Sequence, residues 1–267
     1  MEAKNNILLV PTDFSEVGTN AINLAAKAAK LFNYKMCLLH ITDGKEDATV
    51  KEKLAVLASE AKDSYGIEVD TIAREGSIYS TIGEVAKEIN AAIVYLGTHG
   101  KVGMQKITGS NALKVVTSSE VPVIIVQKRS FEQTKDIILP ITSDSGPWEK
   151  TKWATEISKE FNAKIHIYQI DTESVDRTVE MVTGYFKEND VEFTVNKAEK
   201  SGSFEKQIID FATSINADLI MIMTNPDKGV AKFILGSYDE DMIFNTSQIP
   251  VMCINPRDFN WRKIVSN

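Results

Sequence analysis

Short unbroken apolar runs alternate with amphipathic stretches through the first half of the chain. Residues 6–10 carry Ile7, Leu8, Leu9 and Val10 without a polar interruption, the pattern of a strand buried on both faces. Residues 15–32 then place Ala21, Leu24, Ala25, Ala28, Ala29, Leu31 and Phe32 at helical spacing. The alternation continues with a strand over 36–41, a helix over 46–65 ended by Gly66, and a strand over 67–73. A helix over 78–89, a strand over 91–96, a helix over 110–118 and a strand over 121–126 complete it. Continuous apolar strands separated by amphipathic helices predict a parallel sheet covered on both faces. Right-handed crossovers then favour a doubly wound sheet that binds ligands at the carboxyl ends of its strands.

The pattern repeats. Ile137-Ile138-Leu139-Pro140 echoes Leu8-Leu9-Val10-Pro11, and Ile249-Pro250-Val251 echoes Val121-Pro122-Val123. Residues 164–171 echo 35–43, and Gly202-Ser203 echoes Gly76-Ser77. Offsets stay between 126 and 129 residues, so insertions are small. The fold class expected is therefore α/β, as two tandem doubly wound domains, each on a five-stranded parallel sheet. Residues 1–130 and 136–258 are the expected domains, joined by the polar stretch 127–135.

Composition changes this picture little. With 43% apolar and 25% charged residues the chain reads as an ordinary globular protein of 267 residues, enough for two cores. A formal charge of −7 argues against a general nucleic-acid or anionic-membrane binder. The imbalance is local: residues 1–133 hold 15 Lys+Arg against 16 Asp+Glu, residues 134–267 hold 15 against 21. Cys37 and Cys253 both lie in strand-like runs and read as small buried hydrophobes, with no disulfide framework. No signal segment or membrane-length apolar run is visible, so a cytoplasmic location is expected.

Candidate chemistry gathers at the predicted carboxyl ends of the first sheet. Asp13 follows the first strand in Val10-Pro11-Thr12-Asp13-Phe14-Ser15; taken alone, Asp13 or Ser15 reads as a helix cap. Gly97 and Gly100 follow the strand Val94-Tyr95-Leu96, where a tight turn alone would account for them. Gly109-Ser110-Asn111 can open a helix. A glycine loop exposing backbone N–H groups, followed by a helix N-terminus, can hold a phosphate, and the joint placement of the three features favours that use.

These residues resemble a known family. Pro-Thr-Asp-Phe-Ser after the first strand, His40-Ile41 closing the second, and Gly97-Thr98-His99-Gly100 leading to Gly109-Ser110-Asn111 look like the universal stress protein (UspA-like) family. The likeness is specific over 6–15 and 91–126 and weaker across 136–256, which makes the chain similar to a tandem member. It implies a Rossmann-like, adenine nucleotide alpha hydrolase-like fold and a site for ATP, with Mg as its companion ion. Carried onto this chain, it implies that Gly97 and Gly100 line the phosphate loop and that Gly109, Ser110 and Asn111 supply phosphate donors. Asp13 would lie near the adenosine moiety, and Ile41 would meet adenine. Eight residues separate Gly100 from Gly109, one fewer than the family motif, which shortens the loop by up to about 3.5 Å. The resemblance also implies that the two domains pair as a pseudo-dimer through their last strands, with a homodimer as a further form. It names no protein partner.

The second half departs from the motif. Gly97 aligns in sequence with Thr224 and Gly100 with Asp227, Thr142 falls near the place of Asp13, and Tyr238-Asp239-Glu240-Asp241 follows Gly236-Ser237. Acidic residues there take the electrostatic role of a bound phosphate and would repel one. Only the first half is expected to bind ATP. There is no P-loop of the G-x-x-x-x-G-K-[ST] type, no metal-ligand spacing and no nucleophile-base pair, so no catalytic residue is assigned. His166 reads as a satisfied core imidazole, and His99 as either a phosphate contact or a turn residue. Trp148, Trp153 and Trp261 read as packing or interface residues. A nucleotide-responsive stress or signalling module is the function expected. The alternatives are a nucleotide-free scaffold and a slow ATP-using enzyme.

Overall fold

The computed structural model describes residues 6–42, 44, 48–99, 109–129, 133–142, 148–224 and 237–255, the last span as backbone only for 237–239. Each apolar run becomes a strand whose alternate residues enter cores on opposite faces of one sheet. In β1 (Ile7–Pro11), Leu8 and Val10 pack on one side and Leu9 on the other. The remaining strands of the first half are β2 (Lys35–Thr42), β3 (Val69–Glu75), β4 (Ile93–Gly97) and β5 (Val123–Val126). Its helices are α1 (Glu16–Phe32), α2 (Ala48–Tyr65), α3 (Ile78–Glu88) and α4 (Gly109–Ser118). The second half supplies β6 (Asp136–Ile141), β7 (Lys164–Gln169), β8 (Phe193–Lys197), β9 (Leu219–Met223) and β10 (Val251–Ile254). Its helices are α5 (Trp148–Phe161), α6 (Glu173–Glu188), α7 (Phe204–Ser214) and α8 (Ser237–Ile243).

The strands form one ten-stranded sheet in the order β3-β2-β1-β4-β5-β10-β9-β6-β7-β8. Among the described residues, pairing is parallel within each half and antiparallel only at the seam, where Ile125, Ile124 and Val123 face Val251, Met252 and Cys253. Two five-stranded parallel halves thus share a continuous sheet. The seam strands are buried along their whole length, so the apolar edge of each half is covered by the other.

Helix ends are encoded locally. Ser15 accepts a hydrogen bond from the Gly18 N–H at 3.2 Å and caps α1, and Gly66 at φ +70° follows α2. Asn33, Asn90, Asn162 and Asn216 all adopt left-handed φ between 51° and 55°, just beyond α1, α3, α5 and α7. Asparagine tolerates that conformation better than other residues with a side chain beyond glycine. The same stop signal recurs in both halves. Among the described residues no helix is long and apolar enough to cross a membrane.

Candidate functional site

The first half reverses its winding between β1 and β4, and the crevice at their carboxyl ends is where an open α/β sheet binds ligands. The chain leaves β1 through a turn fixed by its own side chains. Thr12 Oγ1 accepts from the Phe14 N–H at 3.1 Å, and Asp13 Oδ1 accepts from the Ser15 N–H at 3.1 Å. Asp13 is therefore held by a side-chain turn, while the cap of α1 is Ser15.

Phe14 sits at φ 63°, a costly conformation for a bulky residue, so its surroundings must hold it there. Its ring stacks on His40, with centroids 4.5 Å apart and planes 26° off parallel. His40 Nδ1 lies 2.7 Å from the Thr12 carbonyl, which can only accept, so Nδ1 carries the proton. Lys53 of α2 lies 5.5 Å above the Phe14 ring, beside a groove of about 390 Å³ lined by Phe14, Thr19, Lys53, Val56 and Leu57. The motif phenylalanine thus ties the Asp13 turn to β2 and α2, a role the sequence did not reveal.

Ile41 lies near the end of β2, 7% exposed, within the core cluster on the α3/α4 side. Gly97 is the last residue of β4 and buried, so it belongs to the strand and not to the loop. A Cβ there would lie 2.5 Å from the Val17 carbonyl oxygen and 2.9 Å from the Gly18 nitrogen. Real contacts do not reach such distances, so glycine is required by the first turn of α1 against the strand end.

The repeat register also differs from the sequence alignment. Gly97 pairs with Val126 and Met223 with Ile254, while the N–H groups of Thr98 and Thr224 donate to Val126 O and Ile254 O at 2.9 and 3.0 Å. Met223, not Thr224, is therefore the counterpart of Gly97.

Gly109 opens α4 and is buried, with Ser110 exposed and Asn111 half-buried behind it. No acidic residue occupies the first turn of α4, so the helix dipole there faces no fixed negative charge on that turn. Lys114, one turn further on, lies 4.9 Å over the ring of Tyr79 from α3. Among the described residues, His99 Nε2, two residues beyond Gly97, is a buried polar atom without a hydrogen-bond partner. Such an unmet polar atom costs about 1–3 kcal/mol and is a natural contact for a bound group. Gly100 lies outside the described residues, as do Asp227, Gly236 and Trp261.

Other sequence readings resolve into structure. His166 has both ring nitrogens engaged, with Thr194 Oγ1 and Asp136 Oδ1 each at 2.8 Å. Both cysteines are buried, and burial, with Asp70 adding to it, pushes the Cys37 thiol up to about 12. Trp148 packs edge-on against Tyr185, and Trp153 is half-buried against the core. One group had escaped notice. Lys150 in α5 is 6% exposed, donates from Nζ to the Pro140 carbonyl, and is pushed down to about 7 by burial. The offset that matches Asn162 to Asn33 places it at Ala21, so an alanine-to-lysine exchange between the repeats was its visible signal.

Residues 4–127 match the universal stress protein family. A universal stress protein of Methanocaldococcus jannaschii is 26% identical over 146 residues, 47% of this chain and 84% of that protein. One from Synechocystis sp. is 27% identical over 132 residues, 45% of this chain and 83% of that protein. Among solved structures, a universal stress protein from Archaeoglobus fulgidus shares the fold with a TM-score of 0.72 at 19% identity. The match covers 95% of this chain and 99% of that one. A functionally unknown protein from Pseudomonas aeruginosa reaches 0.68 at 15% identity, covering 95% and 93%. Residues 4–127 are a UspA-like universal stress protein domain, and the tandem arrangement fits two such halves.

Proposed function

We propose that the first half binds an adenine nucleotide, ATP with Mg, and that the protein is a nucleotide-responsive stress or signalling module of two domains, 1–130 and 136–258. A cytoplasmic location accords with that role. The observation that carries the reading is the meeting, at the β1/β4 crevice, of the Asp13 turn, the end of β2 at Ile41, and the strand that leads towards α4. The residues present suit the ligand. The N–H groups that open α4 have no acidic neighbour in that turn, and His99 Nε2 offers a buried ring nitrogen without a partner among the described residues. Gly109, Ser110 and Asn111 would hold phosphate oxygens, Ile41 would border the base, and Asp13 would accept from the sugar. The role assigned is binding and not turnover.

A second reading, a nucleotide-free scaffold, draws on Gly97, because helix packing alone explains that glycine. Two measurements separate the readings. Denaturing the purified protein and assaying the supernatant for adenine nucleotide detects a carried ligand. Calorimetric titration with ATP-Mg on the wild type and on Gly100→Asp, which sets a carboxylate in the expected phosphate loop, tests the site. A saturable isotherm with one site, weakened by the substitution, supports the reading; equal affinity in both proteins defeats the assignment.

A further inference from the structure

The residue that follows the last strand of each half crosses the seam. Asn255, after β10, donates from Nδ2 to the carbonyls of Val116 at 2.6 Å and Ser119 at 2.8 Å, at the C-terminal end of α4. Gln127, after β5, donates from Nε2 to the Ile243 carbonyl at 3.4 Å, the last residue of α8. The antiparallel seam brings this about, since each chain leaves its strand at the end where the other half's helices terminate. The final carbonyls of a helix lack intrahelical partners, and a side-chain amide is well suited to satisfy them.

The two caps are alike in geometry and unlike in what they hold. Helix α8 opens the second half's altered motif, whereas α4 opens with Gly109, Ser110 and Asn111. Asn255 is itself oriented: its Oδ1 accepts from the Thr224 hydroxyl, and Thr224 also reaches the Ile254 carbonyl at 3.3 Å. Thr224 stands at the end of β9 where Thr98 stands in the first half, at the entry to the glycine loop. The strand end that lost its glycines is therefore linked, through one amide, to the helix of the half that kept them.

We propose that Asn255 is a positioning residue for the nucleotide site of the first half, so that the second half completes that site by fixing helix α4 from behind. The inference rests on the reading that the first half binds nucleotide. A ten-residue helix behaves as a rod of about 15 Å, so holding one end places the N–H groups at the other.

The test uses the full chain and a matched pair of near-isosteric changes. Asn255→Asp removes both donated bonds and sets a carboxylate against carbonyl oxygens; Gln127→Glu does the same at α8. Hydrogen exchange of α4 and α8 peptides reads the capping, and ATP-Mg titration reads the site. Asn255→Asp should raise exchange in α4 and weaken ATP binding about 5- to 10-fold, the low end of couplings between sites. Gln127→Glu should raise exchange in α8 and leave ATP affinity as in the wild type. Faster exchange in α4 with unchanged affinity would overturn the proposal, as would equal weakening by both variants, which is general loosening of the seam. If the wild type takes up no ATP while α4 exchange still responds to Asn255→Asp, the nucleotide reading has failed and the positioning role goes with it. Should Asn255→Asp not fold, Thr224→Val removes the bond that orients the amide and should weaken ATP binding in the same direction; wild-type affinity there overturns the proposal.

Discussion

Lys150→Met should change how stability depends on pH, and the size of the change follows from burial. The ammonium is held in the core by one backbone carbonyl, and burial lowers its pKa from 10.5 to about 7. The full displacement corresponds to about 5 kcal/mol of penalty on the charged form. Between those values the unfolded chain binds a proton that the folded chain does not, so unfolding takes up a proton. Stability must then rise with pH through the window, and the penalty is fully present below pH 7. Integrated from pH 7 to pH 9, the lysine contributes about 2 kcal/mol of the rise.

The window should stop near pH 9, because Cys37 acts in the opposite direction above it. Its thiol is raised from 9.0 to about 12, so the unfolded chain ionises first and stability falls. Methionine fills a similar volume without a charge. The variant should be more stable at pH 7, and its advantage should shrink by about 2 kcal/mol by pH 9. Urea unfolding at pH 7, 8 and 9, followed by tryptophan fluorescence, measures this in the half concerned, since all three tryptophans lie there and two are in α5. Parallel stability curves for the two proteins would refute the buried-ammonium argument.

Further expectations concern the first half. Ser110→Asp places an exposed carboxylate in the first turn of α4, where the dipole favours it by about 0.3–1 kcal/mol, yet it should repel bound phosphate by about 1–2 kcal/mol per charge; a rise in melting temperature with a loss of ATP affinity in titration is the expected pair, and tighter binding would contradict it. Gly97→Ala should cost about 1–3 kcal/mol, as overpacking does, because the new Cβ meets the backbone of α1 at 2.5 Å; a denaturation midpoint equal to wild type would show that the strand end yields freely. Steady-state ATP hydrolysis should stay far below the common enzyme rate of about 10 s⁻¹; a turnover at that level, abolished by Asp13→Asn, would demand a catalytic reading.

Much of the architecture was legible in the residues alone. Unbroken runs such as Leu8-Leu9-Val10 and Ile137-Ile138-Leu139 announced strands buried on both faces, and the repeat spacing announced two like halves. Helix stops were also written there, in Asn33, Asn90, Asn162 and Asn216, although periodicity alone did not single them out. The placement of Asp13 and Ile41 at the strand ends followed from the same alternation, because a parallel sheet needs each loop of that type at one end.

Tertiary structure decided the rest, for reasons of proximity that no local pattern holds. Gly97 looks like a loop glycine in sequence, and only the first turn of α1, some 80 residues earlier, makes it a packing requirement. Its counterpart shifted from Thr224 to Met223 because strand register is set by the neighbours Val126 and Ile254, not by spacing along the chain. Lys150 reads as an ordinary helix lysine until β6 and the core close over it. Asn255 and Gln127 carry no motif at all. They acquire partners only because β5 and β10 run antiparallel, which delivers each to the helix ends of the opposite half. Sequence determines which segments must be buried; the partners of a buried polar group are fixed only when distant segments meet.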